Sequence, residues 1–199
     1  MTDEESETDR LLAGQAWRVP PAELPDDIAS MLAGRQAAQL NLYRALANSP
    51  EVVRAWRDFL WSLRDDCTTP RALREIAILR VATRHSSEYE WLHHASMARA
   101  AGVSDDVVAS IGRWRDESAL TEDQRLVLEL ADAVCDGPVL PALASSVVDR
   151  FGADGYVELV VTIATYVMVA RVIDALGVPV EEGASGSGEL PADSRLADA

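Results

Sequence analysis

The run YVELVVTIATYVMVARVIDALG, residues 156–177, is apolar at nearly every position, and it constrains the fold more than any other stretch. Its Val, Ile and Thr content suits a strand, but a strand of this length is out of keeping with a small domain. Glu158 and Arg171 inside the run argue against a membrane span. A buried helix remains. A helix that is apolar almost all the way round must be covered on several sides, which predicts a central core position and, at the same time, a subunit interface. A homo-oligomer is therefore expected.

The rest of the chain is punctuated for helices. Ser49-Pro50 precedes EVVRAWRDFLWSL and Thr69-Pro70 precedes RALREIAILRVA, each pairing an N-cap residue with proline at the first helical position. Thr121-x-x-Gln124 reads as a capping box, Gly137 is placed to end the helix it opens, and Ser104 precedes DDVVASIGRW. With no alternating strand pattern, the expected class is all-α. A length of 199 residues and 48% hydrophobic content predict one compact domain over residues 11–181. Residues 1–10 and the Ser/Gly-rich acidic tail 182–199 have the composition of solvated, disordered ends.

Charge narrows the function. Acidic residues number 33 against 18 basic ones, a formal charge of -15 without a Lys/Arg cluster, so nucleic acid and anionic membranes are not expected partners. An anionic small-molecule substrate would need a local positive pocket. The opening MTDEESETDR lacks a basic segment followed by an apolar one, which points to a cytoplasmic protein. Cys67 and Cys135 lie far apart and read as ordinary buried or half-buried thiols.

The chemistry concentrates in HSSEYEWLHHASMARAAG, residues 85–102. Ser87, Glu90 and His94 are spaced three and four apart and share one helix face with Trp91 and Ala98. The same Ser87-x-x-Glu90 spacing is a capping box, so a purely structural role competes with a catalytic one. All three histidines, His85, His93 and His94, fall in this stretch beside Glu88 and Glu90, a concentration that suits proton transfer. Glu90 and His93 form one Glu-x-x-His pair; a carboxylate-bridged metal site needs two, so no metal is expected. Glu75 is either a site acid or half of an ion pair with a nearby arginine. Nucleotide-binding and hydrolase motifs are absent, and the five tryptophans read as packing residues.

Taken together, RALREIAILRVATRHSSEYEWLHHASMARAAGV resembles the central signature of the carboxymuconolactone decarboxylase family, which includes the alkylhydroperoxidase D-like proteins. The resemblance rests on the Arg-Glu opening, the spacing of twelve from Glu75 to Ser87, and the run His94, Ala98, Gly102. It extends from NLYRALANSPEVV at 41 to YVMVARVIDALGVPVE ending at 181. It implies an all-helical fold assembled as trimers or hexamers. In the family's peroxidase branch a C-x-x-C pair stands where this chain has Ser87 and Glu90, so peroxidase chemistry of that type is not expected here.

The decarboxylase branch keeps an acid four residues before the histidine, as Glu90 and His94 do, and its reaction needs no metal or organic cofactor. The resemblance implies His94 as proton donor, with Glu90 or Glu75 supporting it. Ser87, His93, Arg80 and Arg84 are candidates to bind a small carboxylated lactone or enolisable acid. The alternatives are a non-catalytic small-molecule-binding or accessory oligomer and, less favoured, thiol redox chemistry at Cys67 or Cys135.

Overall fold

The computed structural model describes residues 17–34, 40–182 and 189–193; the expected disordered N-terminus lies outside this range. The described residues contain helices and turns and no strand, in agreement with the all-α expectation. They divide into two compact units.

The first unit comprises the described parts of 1–62 and 171–184. It contains α1 (Asp26–Leu32), α2 (Asn41–Leu46) and α3 (Pro50–Trp61). Ser49 and Pro50 open α3 as their spacing predicts, although Ser49 makes no side-chain cap bond. Arg54 on α3 grips Asp27 on α1 through both oxygens, at 2.7 and 3.1 Å. Glu181 accepts the Asn41 backbone N–H at 2.6 Å and so caps the start of α2.

The second unit comprises the described parts of 63–170 and 185–199. Its helices are α4 (Arg71–Arg84), α5 (Glu88–Ala100), α6 (Asp105–Ser110), α7 (Glu122–Asp136) and most of α8 (Pro141–Leu176). A 3-10 turn, Ile111–Asp116, follows α6. Thr121 and Gln124 form the predicted capping box of α7, and the Ser104 hydroxyl accepts the Val107 N–H at the start of α6. Thr69-Pro70 behaves differently. Pro70 takes the N-cap position of α4, and the Thr68 and Thr69 amides are satisfied from outside by Glu158 of α8, both at 2.8 Å.

The centre of this unit is α4. Every residue from Leu73 to Thr83 is buried, and α5 and α7 pack against it. The apolar run was expected to hold that position. It lies instead in α8, which is long and apolar enough to cross a membrane by length and composition, and which breaks at Gly152 (φ 79°). One side of α8 enters the core through Leu159 and Ile163, both fully buried, while Val157 and Met168 remain 58% and 41% exposed. Composition records how apolar a helix is but not which helix its neighbours surround. α4 can be buried despite its arginines because each buried polar side chain has protein partners.

Residues 189–193 belong to the segment expected to be solvated, yet they are packed. Leu190 lies against the core cluster, and the Asp193 side chain is fully buried. An apolar anchor and a paired carboxylate outweigh the composition of the surrounding tail. Residues 183–188 and 194–199 of that tail lie outside the described range.

Candidate active site

A tight connection brings the two site helices together. The Ser87 N–H reaches back to the Ala82 carbonyl at 2.8 Å, and Ser86 takes the left-handed conformation (φ 52°) that permits the reversal. With α5 folded back along α4, residues twelve to nineteen apart in sequence become neighbours. His94 Nδ1 lies 2.8 Å from Glu75 Oε2, in a pair whose members are 8% and 0% exposed. An ionised carboxylate is acceptor-only, so Nδ1 carries the proton in this contact and Nε2 is left as the basic nitrogen.

Arg71, one turn before Glu75 on α4, donates Nε to Glu75 Oε1 at 2.6 Å and Nη1 to the Arg64 carbonyl at 3.2 Å. Burial opposes ionisation of Glu75, but His94 and Arg71 together outweigh it and hold the carboxyl below its usual range. The result is an Arg–Glu–His relay in which each member fixes the orientation of the next.

Glu90 is the opposite case. It is 2% exposed, and neither carboxyl oxygen has a hydrogen-bond partner among the described residues. Burial drives its pKa well above the ordinary value, with the nearby Ser87 hydroxyl pulling weakly the other way. The predicted capping box is therefore not formed. Ser87 stands at the N-cap of α5, but its side chain makes no cap bond, and the Glu90 carboxyl is buried without a hydrogen-bond partner among the described residues.

Tyr166 of α8 completes the cluster, meeting the His94 ring edge-on at a centroid distance of 4.7 Å and an interplanar angle of 86°. Burial first, then the Glu75 and Glu90 carboxyls, push its phenol above the usual range. Sequence reasoning missed Tyr166, because nothing in a long apolar run marks which turn faces the histidine. Arg71 was legible as an i, i+4 partner of Glu75.

The remaining predicted residues lie elsewhere. At about 100° per residue, Arg80 and Arg84 sit roughly 140° and 180° round α4 from Glu75, so they face away from His94. Both are engaged by aspartates: Arg80 by Asp132 and Asp193, Arg84 by Asp136 and Asp193. His93 packs on Tyr89 with ring centroids 4.6 Å apart, one helix position away from the His94 face. Among the described residues, no three His, Cys, Asp or Glu side chains converge in a group that could hold a metal ion. Cys67 and Cys135 are both pushed up by burial, Cys135 to about 12, which keeps the unreactive thiol form at neutral pH.

The fold is that of the alkylhydroperoxidase D-like proteins. A peroxidase-related protein with an alkylhydroperoxidase AhpD core from Ralstonia eutropha JMP134 superposes with a TM-score of 0.75 at 20% identity, over 84% of this chain and 94% of that one. A peroxidase-related protein from Silicibacter sp. TM1040 gives 0.72 at 18% identity, over 94% and 100%. Residues 50–133, which hold Arg71, Glu75, Ser87, Glu90 and His94, match the model of the carboxymuconolactone decarboxylase family. No curated protein matches the sequence at a significant level.

Proposed function

We propose that the protein is a carboxymuconolactone decarboxylase-like enzyme that moves protons on a small carboxylated lactone or enolisable acid, using its own side chains as acid and base. The observation that supports this reading is the contact of Glu75 with His94, together with a second, unlike buried carboxyl, Glu90, one turn before His94 on α5. Glu75 holds the His94 ring, and His94 and Arg71 favour its ionised form, whereas burial favours the neutral form of Glu90. Neighbouring groups whose environments push their proton affinities apart are what acid/base work at one pH requires.

In a decarboxylation the carbon–carboxylate bond breaks, carbon dioxide leaves, and the electron pair is delocalised into the conjugated ring. A proton then returns to carbon. Here Glu90 or a protonated His94 Nε2 would deliver that proton, and Arg71 or Arg64 would hold the substrate carboxylate before it leaves. Tyr166 would fix the plane of the imidazole.

A non-catalytic binding role is the second reading, and the deep burial of Glu75, Glu90 and His94 favours it. Carbon dioxide release from a panel of carboxylated lactones and β-keto acids separates the two. The enzyme reading expects release by wild type that falls about 10²–10⁴-fold in a folded His94→Gln variant, the usual contribution of a general acid or base. Release unchanged in that variant would overturn the role given to His94; the binding reading predicts none from either protein. The exposed apolar side of α8, with Val157 and Met168, supports a homo-oligomer in which a second copy covers it.

A further inference from the structure

On the side of α4 away from Glu75, the fully buried Arg80 spreads its donors over three elements. Nε reaches Asp132 of α7 at 2.7 Å, Nη1 reaches the Ile111 and Gly112 carbonyls at 3.2 and 3.4 Å, and Nη2 reaches Asp193 at 3.0 Å. Arg84, one turn on, donates Nη1 to the other Asp193 oxygen at 2.6 Å. The Asp193 carboxylate thus bridges two guanidinium groups, one oxygen to each, with its side chain wholly out of solvent. Charge-assisted pairing of this kind discriminates strongly for a carboxylate.

Shape adds to the charge. A Cβ on Gly112 would stand 2.4 Å from the Ala192 carbonyl oxygen and 3.1 Å from the Pro191 side chain. The obstacle at Ala192 is backbone, which has little room to give, so residue 112 must lack a side chain for residues 191–192 to lie where they do. Three residues before the carboxylate, Leu190 packs against the core cluster. An apolar anchor, a close backbone passage and a buried two-arginine carboxylate seat follow one another along four residues. That is how a peptide-recognition groove is organised, and neither the acid–base site nor the family match assigns one here.

We propose that Arg80, Arg84 and Gly112 form a recognition site for a short acidic peptide of the pattern Leu-Pro-Ala-Asp, which the chain's own residues 190–193 occupy. Tethering gives the tail an effective concentration on the order of millimolar, so a free peptide competes poorly with it in the wild-type chain. Weakening the tail in the full-length protein exposes the seat.

The test uses a fluorescent peptide with the sequence of residues 189–193, its ends capped, followed by anisotropy. A full-length Leu190→Ser, Asp193→Ala double variant should bind it at least ten-fold more tightly than wild type. Binding should fall at least ten-fold when the peptide carries Asp193→Asn or the protein also carries Gly112→Ala. Equal binding to both proteins, or none to the double variant, overturns the proposal. Amide exchange on the unmodified wild type gives a check that needs no folded variant. The Ala192 and Asp193 amides should exchange more slowly than free peptide, and exchange at the free rate overturns the docking itself.

Discussion

Two buried polar clusters lie on opposite sides of α4 and are built on contrary rules. Around Arg80 the charges are paired, with Arg84 Nε the one buried donor of the two arginines left without a hydrogen bond among the described residues: Asp132 accepts from Arg80, Arg115 and the Trp114 indole, and Asp193 bridges Arg80 and Arg84. Around Glu90 the carboxyl is buried and its oxygens have no hydrogen-bond partner among the described residues, beside a Glu75–His94 pair that is fully engaged. A saturated network holds a fold in one arrangement, whereas a buried group left with unused hydrogen-bonding capacity costs stability that a purely structural role would not repay. The contrast separates the half of the helix that holds the protein together from the half to which we assign the proposed chemistry.

Breaking the saturated side should have the largest effect. Arg80→Met leaves Asp132 and Asp193 buried with fewer partners and should cost about 3–5 kcal/mol of unfolding free energy, read from the urea midpoint. A near-neutral result would mean that the two sides do not differ as described. On the other side, His94→Gln should fold normally, with its loss appearing in turnover. Glu75→Gln should lower turnover too, by misorienting the imidazole, with Nε2 still present.

The two glutamates of the site should give opposite pH signatures. The pKa of Glu75 is lowered on folding, so its contribution is present above the ordinary value of 4.5 and is lost as pH falls through the folded one. That of Glu90 is raised, so its contribution is present below 4.5 and is lost as pH rises toward the folded value. Within that upper window wild type should lose up to about 1.4 kcal/mol per pH unit from Glu90. Glu90→Gln should remove this slope and be the more stable protein at pH 8, and Glu75→Gln should flatten only the acid limb; denaturant titrations across pH read both. The smallest effect belongs to the connection between the helices. Ser86→Gly relieves a left-handed residue and should add about 1 kcal/mol, leaving both clusters unchanged.

Much of this was legible in the sequence. Caps and prolines marked helix starts, and the spacing from Glu75 to His94 marked two residues that the fold brings into contact. What escaped were features set by tertiary neighbours. Ser87 and Glu90 have capping-box spacing, but the Glu90 carboxyl is buried and makes no cap bond. Arg80 and Arg84 read as anion binders and are so, yet for the chain's own aspartates. Tyr166 carries no local signal, and the docking of residues 190–193 depends on Gly112, far away in sequence.

The central claim is that Glu90 stays a neutral carboxylic acid beside an ionised Glu75. A difference infrared spectrum at neutral pH between wild type and Glu90→Gln tests it directly. Wild type should show a protonated-carboxyl carbonyl band that is missing from the variant. A wild type whose difference spectrum shows only carboxylate bands for Glu90 would contradict it.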